Sequence, residues 1–255
     1  MTILPRVPQA EIHVDGLLDG EGAVTFRLAH GELPDVGLRS RGWEPVRPRD
    51  VVGQADPHEL RLVYDVRPRG PETTGAGPDS ASVSVSASEV TSARAIARDA
   101  DLVVAPGEAA VPYQRVAAYA IVTSARGVLL ARFAGSTNAA GEWGLVGGGV
   151  DPGELPLQAL HREVWEESGQ VVEVTGLATI TSSHWVGRAP HGRLEDFHAV
   201  RIAYWANCAE PTDPVVHDVG GTTAESAWVP VADLDSVGLV TSWAVELPRL
   251  LASRA

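Results

Sequence analysis

Apolar and polar side chains alternate in short runs over roughly the first hundred residues, then give way to longer apolar runs. Residues 11–14, 23–28 and 60–66 follow the period of two that predicts strands. Asp19, Gly20, Glu21 and Gly22 supply turn chemistry between the first two. Residues 33–59 are rich in proline, glycine and charge and predict loop or irregular structure. Residues 68–80 hold almost no large apolar side chain and read either as a flexible linker or as the loop of a long hairpin. The hairpin is preferred, because residues 80–90 alternate again and can pair back onto 60–66.

Beyond residue 112 the texture changes. Residues 116–123 are almost continuously apolar, as in a strand buried on both faces. A turn at 124–127 leads into a returning strand at 128–132, and a short strand at 143–146 runs into three glycines at 147–149. A helix is predicted over 155–168, then strands at 171–181, 198–205 and 227–231. Residues 242–251 predict a terminal helix that Pro248 kinks or shortens. Residues 182–197 are polar and predict a loop. The pattern is that of an α/β chain with a β-rich N-terminal region over 1–105.

The helix at 155–168 carries an unusual charge pattern. At about 100° per residue, Leu157, Leu160 and Val164 fall within about 60° and predict its buried stripe. Glu163, Glu166 and Glu167 span about 100° on a different side. Only Arg162 and His161 stand beside them in the helix as basic groups. Like charges four residues apart destabilise a helix by a few tenths of a kcal/mol, and a solvated acidic face is their ordinary explanation. The glycines just ahead change that weighting. Glycine lets backbone approach a ligand and turn carbonyls and amides toward it. Carboxylates with a backbone carbonyl are hard oxygen donors suited to Mg²⁺ or Mn²⁺, and Mg²⁺ completes its shell with water and substrate phosphates. The residues therefore point to a phosphate-bearing substrate.

The spacing then becomes specific: Gly148, five residues, Glu154, seven residues, Arg162, Glu163, Val164, one residue, Glu166, Glu167, one residue, Gly169. This resembles the signature of the Nudix hydrolase family. Gln170 departs from it, at a packing position the family fills with an apolar residue, and is expected to loosen the helix end. The resemblance covers residues 112–255 and implies a Nudix-type α/β/α sandwich with a mixed sheet. It implies Mg²⁺-dependent hydrolysis of the pyrophosphate linkage in a nucleoside diphosphate joined to another moiety, with Mn²⁺ as the alternative ion. Glu163, Glu166 and Glu167, with the Gly147 carbonyl, would hold the metal, and Glu154 and Arg162 would orient the carboxylates. Glu163 and Glu225 are both candidates for the general base, the second in a loop before the strand at 227–231. Arg132 is a candidate for phosphate binding, Trp185 for stacking on a base, Arg188 and Arg193 for phosphate contacts, and Gly148 for close approach of the substrate. The markers of NADH-, ADP-ribose- and dinucleoside polyphosphate-cleaving relatives are absent; where the second group has a proline, this chain has Val186.

Composition narrows the alternatives. The 255 residues carry a net charge of -13, which disfavours charge-driven binding to nucleic acid or an anionic membrane. No apolar run reaches the roughly 18 residues of a membrane span, and the first residues do not read as a secretion signal. All 20 basic residues are arginine, so neither a Schiff-base lysine nor a P-loop lysine is available. One cysteine, Cys208, excludes an internal disulfide and suits a reducing, cytoplasmic setting. His13, His30 and His58 show no metal-ligand spacing and read as ordinary residues, so the N-terminal region shows no catalytic constellation. Its expected role is to dock on the second region, form a homodimer or shape the substrate pocket. A non-catalytic nucleotide-sensing module is the competing function, and the retained glutamates favour the enzyme. A Nudix-fold isomerase would need further cysteine chemistry.

Overall fold

A computed structural model of the chain describes residues 10–70, 96–99, 101–218 and 220–254. Strands β1 (Glu11–Leu18), β2 (Glu21–Arg27), β3 (Trp43–Gln54) and β4 (Glu59–Pro68) form a first sheet in the order β2-β1-β4-β3, with helix α1 (Pro34–Ser40) between β2 and β3. The second sheet contains β5 (Ala97–Arg98), β6 (Val111–Ser124), β7 (Gly127–Phe133), β8 (Trp143–Gly149), β9 (Glu173–Arg188), β10 (Leu194–Asn207) and β11 (Thr223–Val229). Its order is β11-β7-β8-β6-β10-β9-β5. It is mixed, because β10 runs parallel to β6 and antiparallel to β9. Helix α2 (Pro156–Ser168) joins β8 to β9, and α3 (Thr241–Ala244) and α4 (Glu246–Arg254) follow β11.

Strand β6 shows why its sequence is apolar throughout. Ala118, Ala120 and Val122 face one core, which also takes Leu160 and Val164 of α2. Ile121 faces the other, which takes Trp243, Leu247 and Leu250 of the terminal helices. Alternate side chains thus serve two buried faces. The first core also contains Ile12, Val14, Leu60 and Leu62, so the N-terminal sheet is docked on the second sheet through shared apolar side chains.

Several expectations are corrected. Residues 33–59 contain α1 and β3 instead of irregular chain. Among the described residues β3 is an edge strand, and its register slips between Pro45 and Arg47 and again between Pro48 and Asp50. Proline, which donates no hydrogen bond, is tolerated at such edge bulges. Residues 71–95, which include most of the proposed loop and all of its returning strand, lie outside the described residues. β4 is bonded by β1 on one side and β3 on the other, so residues 60–66 have no free edge for a further strand. The polar segment 182–197 is an extension of the β9–β10 hairpin, with a tight turn near Gly192. Glu225 lies within β11, opposite Arg132, and not in a loop before it. The terminal helix breaks at Val245, where Pro248 lacks an N–H for the carbonyl four residues earlier and crowds it.

Candidate functional site

Helix α2 presents its acids differently from the wheel expectation. Its buried residues are Pro156, Ala159, Leu160, Val164, Glu167 and Ser168, while Leu157 is 44% exposed. Glu167 therefore lies within the buried arc, and Glu163 borders it, instead of both projecting from a separate face. At about 100° per residue Glu167 falls only about 20° from Leu160, and the glycine run on β8, which offers no side chains where the helix crosses, leaves room for it. A Cβ on Gly148 would stand 2.5 Å from the Glu163 carboxylate. At Gly147, φ is 138° and a Cβ would stand 2.3 Å from the Ala118 carbonyl oxygen, so only glycine is accommodated. The missing side chains make the room that the carboxylates occupy.

Glu167 is 4% exposed and accepts hydrogen bonds from the Gly147 N–H at 2.8 Å and from the Thr223 hydroxyl. Burial pushes its pKa up to about 7; the Thr223 and Gly147 bonds oppose that rise, and the charges of Glu163 and Asp218 add to it. Burial also raises the pKa of Glu163, against the pull of Arg162. Arg162 grips Glu154 with two bonds, Nε to Oε1 at 2.9 Å and a terminal nitrogen to Oε2 at 2.8 Å. It also donates to Glu163 at 2.8 Å, Glu166 at 3.2 Å and the Gly149 carbonyl at 3.0 Å. Its planar fork suits such multiple carboxylate contacts. The Glu154 bonds come first in raising the Arg162 pKa, and Arg162 in turn lowers that of Glu154. The helix ends at Gly169, whose φ of 66° is the left-handed cap.

Gln170 corrects the expectation of a loosened helix end. Its side chain is buried; its amide nitrogen donates to Ser168 O and Thr212 Oγ1, and its oxygen accepts the Thr212 N–H at 3.0 Å. It ties the end of α2 to the chain leaving β10. Arg132 and Glu225, expected as separate candidates, bond to each other across β7 and β11 at 2.7 Å. Trp185 sits in β9 with its ring tilted against Phe197 at 4.6 Å. Arg188 bonds to Glu108 twice, at 2.7 and 2.8 Å, and Arg193 is likewise paired with Glu195.

A cavity of about 1110 Å³ opens between the two sheets beside the glycine run. Gly149, Val150 and Asp151 form one wall, Arg115 and Arg193 another, and Arg27, His30 and His58 come from the N-terminal region. His58 accepts the Gly153 N–H at 3.4 Å, and its Nε2 is buried without a partner among the described residues. A smaller hollow of about 290 Å³, sharing Tyr113, Arg115 and Arg193 with the first, reaches Trp185.

The NUDIX domain profile matches residues 113–251. The chain belongs to the NUDIX family. The chain is similar to the nucleoside triphosphatase NudI of Escherichia coli, with 31% identity over 96 residues, 37% of this chain and 65% of the relative. It therefore spans just under two thirds of the length of that relative. The protein of the same name from Klebsiella pneumoniae is 30% identical over 111 residues, 43% of this chain and 76% of its own. Among solved structures, a MutT NUDIX hydrolase from Burkholderia pseudomallei is 28% identical, with a TM-score of 0.41, covering 51% of this chain and 92% of that chain.

Within this NUDIX chain, the structure brings Gly147, Gly148, Glu154, Arg162, Glu163, Glu166 and Glu167 together. Arg132 and Glu225 form a pair on β7 and β11, and Trp185 lies at the far hollow. The donor types, carboxylate oxygens beside a backbone carbonyl, are those a hard divalent cation takes; in this structure Glu167 accepts from Gly147 and Thr223, and Glu163 and Glu166 accept from Arg162. In the structure Arg162 supplies the positive charge at Glu163 and Glu166. Sequence reasoning missed Arg27, Arg115, His30 and His58. Arg115 stands just ahead of the apolar run at 116–123, within β6, but a cavity between two sheets has no signature in local periodicity.

Proposed function

We propose that the chain is a Mg²⁺-dependent pyrophosphohydrolase that cleaves a nucleoside diphosphate linked to another moiety, with nucleoside triphosphates as the first class to test. The observation that carries this reading is the complete Glu154–Arg162–Glu163–Glu166–Glu167 set folded against the glycine run, whose last member, Gly149, lines a cavity that also takes Arg115 and Arg193. The names of the curated relatives support the substrate class.

Glu163, Glu166, Glu167 and the Gly147 carbonyl would hold the ion, with Mn²⁺ as its substitute. Bound there, the ion would neutralise charge on the transferred phosphoryl group and lower the pKa of the attacking water. The water oxygen bonds to phosphorus, the bridging P–O bond breaks, and a carboxylate takes the proton. Glu163, facing Gly148, and Glu225 are the two base candidates; each is paired with an arginine, Arg162 and Arg132 respectively, and the preference for Glu163 rests on its place within the carboxylate set on α2. Glu154 and the guanidinium of Arg162 position the carboxylates. Arg115 and Arg193 stand where substrate phosphates would enter, and Trp185 extends the surface toward a base. The N-terminal region, residues 1–105, and the NUDIX region, 112–255, act as two units that share this cavity, and a homodimer remains part of the proposal. Among the described residues, no helix is long and apolar enough to cross a membrane, and we place the enzyme in the cytoplasm.

The test is incubation with Mg²⁺ and a panel of nucleotides, following release of phosphate, pyrophosphate and nucleoside monophosphate. Turnover of at least one member that falls by orders of magnitude in Glu166→Gln is expected. Absence of turnover with Mg²⁺ and with Mn²⁺, or full activity in the variant, refutes the reading. Binding without turnover would favour the sensing module.

A further inference from the structure

Three side chains that the proposed chemistry leaves unused meet where the loop after β2 crosses the β9–β10 hairpin. His30 comes from that loop, His184 from β9 and Asp196 from β10. One ligand atom of each lies within 4.8 Å of the other two. His30 Nε2 is 3.4 Å from Asp196 Oδ2, and His184 Nε2 bonds to Asp196 Oδ1. The two imidazole rings meet edge to face at 5.4 Å.

The surroundings hold this arrangement in place. Gly31, at φ 76°, lets the loop descend until a Cβ there would stand 2.5 Å from the His184 ring. His198, fully buried, stands behind: its Nδ1 faces the Gly31 N–H at 3.2 Å and its Nε2 meets the Ser182 hydroxyl at 3.0 Å. Both its nitrogens are engaged, so it forms a wall and not a ligand. A cross-strand ion pair between His184 and Asp196 accounts for two of the three groups. It gives no reason for a second imidazole, delivered by the other sheet, to face the same carboxylate.

We propose that His30, His184 and Asp196 bind a transition-metal ion of the Zn²⁺ class, clasping the N-terminal sheet to the NUDIX sheet. Two imidazoles and a carboxylate are suited to Zn²⁺, whereas Mg²⁺ prefers oxygen donors alone. The chain would thus sort two kinds of cation by donor chemistry. With bonds of about 2.0–2.1 Å, tetrahedral ligands sit about 3.4 Å apart, so closing the cluster takes a movement of about 1 Å. Three protein ligands leave a fourth position open beside exposed His30, which lines the large cavity. Binding would fix the loop that forms that part of the cavity wall.

The test is equilibrium dialysis against Zn²⁺ in a large excess of Mg²⁺, which occupies the glutamate site, with bound zinc measured by elemental analysis. The wild type is expected to retain one Zn²⁺ per chain, and His30→Ala and Asp196→Asn to lose it. Zn²⁺ should raise the unfolding temperature of the wild type and leave that of His30→Ala unmoved. His30 is exposed, so its variant folds even where a change at His184 does not. No retained zinc in the wild type, or equal retention in His30→Ala, overturns the proposal.

Discussion

Replacing Glu167 by Gln should stabilise the metal-free protein while abolishing its activity. The carboxyl is 4% exposed, and burial lifts its pKa from 4.5 to about 7. At about 1.4 kcal/mol per pH unit, that difference is about 3 kcal/mol. The folded-state value is raised, so the protonated acid favours folding. This contribution is complete below about pH 4.5 and is lost as pH rises through about 7. Glutamine keeps the shape and does not titrate. In chelator, the stability of Glu167→Gln relative to wild type should therefore grow with pH, by up to about 3 kcal/mol near pH 8. Urea unfolding followed by tryptophan fluorescence across this range gives the comparison. The same variant should lose turnover by orders of magnitude in Mg²⁺. A difference in stability that does not change with pH, or a variant less stable at high pH, would show that burial of this acid is not what the structure implies.

Two further changes probe its neighbours. Arg162→Lys keeps the charge but loses the fork that joins Glu154, Glu163, Glu166 and the Gly149 carbonyl. It should reduce kcat by about 100-fold or more by displacing the carboxylates, with a smaller effect on KM, as steady-state kinetics would show. Gln170→Leu restores the apolar residue usual in the family, yet strands the Thr212 N–H. Thermal denaturation should show a loss of about 1–3 kcal/mol, and an unchanged or raised midpoint would refute the structural role of Gln170.

The parts of this molecule legible in the sequence are those where local pattern and tertiary environment agree. β6 is apolar because both its faces are buried, and α2 lies almost where its periodicity places it. The errors arise where another element decides. Leu157 fits the apolar stripe by angle yet is 44% exposed, while Glu167, about 20° from Leu160 by angle, is buried because three glycines opposite leave space for its carboxylate. Residues 43–54 form a strand despite two prolines because they lie at an edge. Ser182, Ser183 and His184 read as loop, yet they pair in register with Val200, Ala199 and His198. His30 showed no ligand spacing, since its partners are brought in from another sheet. The motif itself was legible because it is local: one turn and one helix carry nearly all of it.

The outer edge of the N-terminal sheet bears on how copies of this chain meet. An exposed strand edge is a template for pairing with another molecule. β3 presents Pro45 and Pro48 at slips in its register, with Arg47 and Arg49 paired to Asp65. Neither proline offers an N–H to a neighbour, and a bent edge cannot match a straight one over many residues. The strand that the sequence disguised as loop is thereby a poor seed for aggregation. Among the described residues, a homodimer that continued this sheet from one copy into the next would have to use its opposite edge, β2, and not β3.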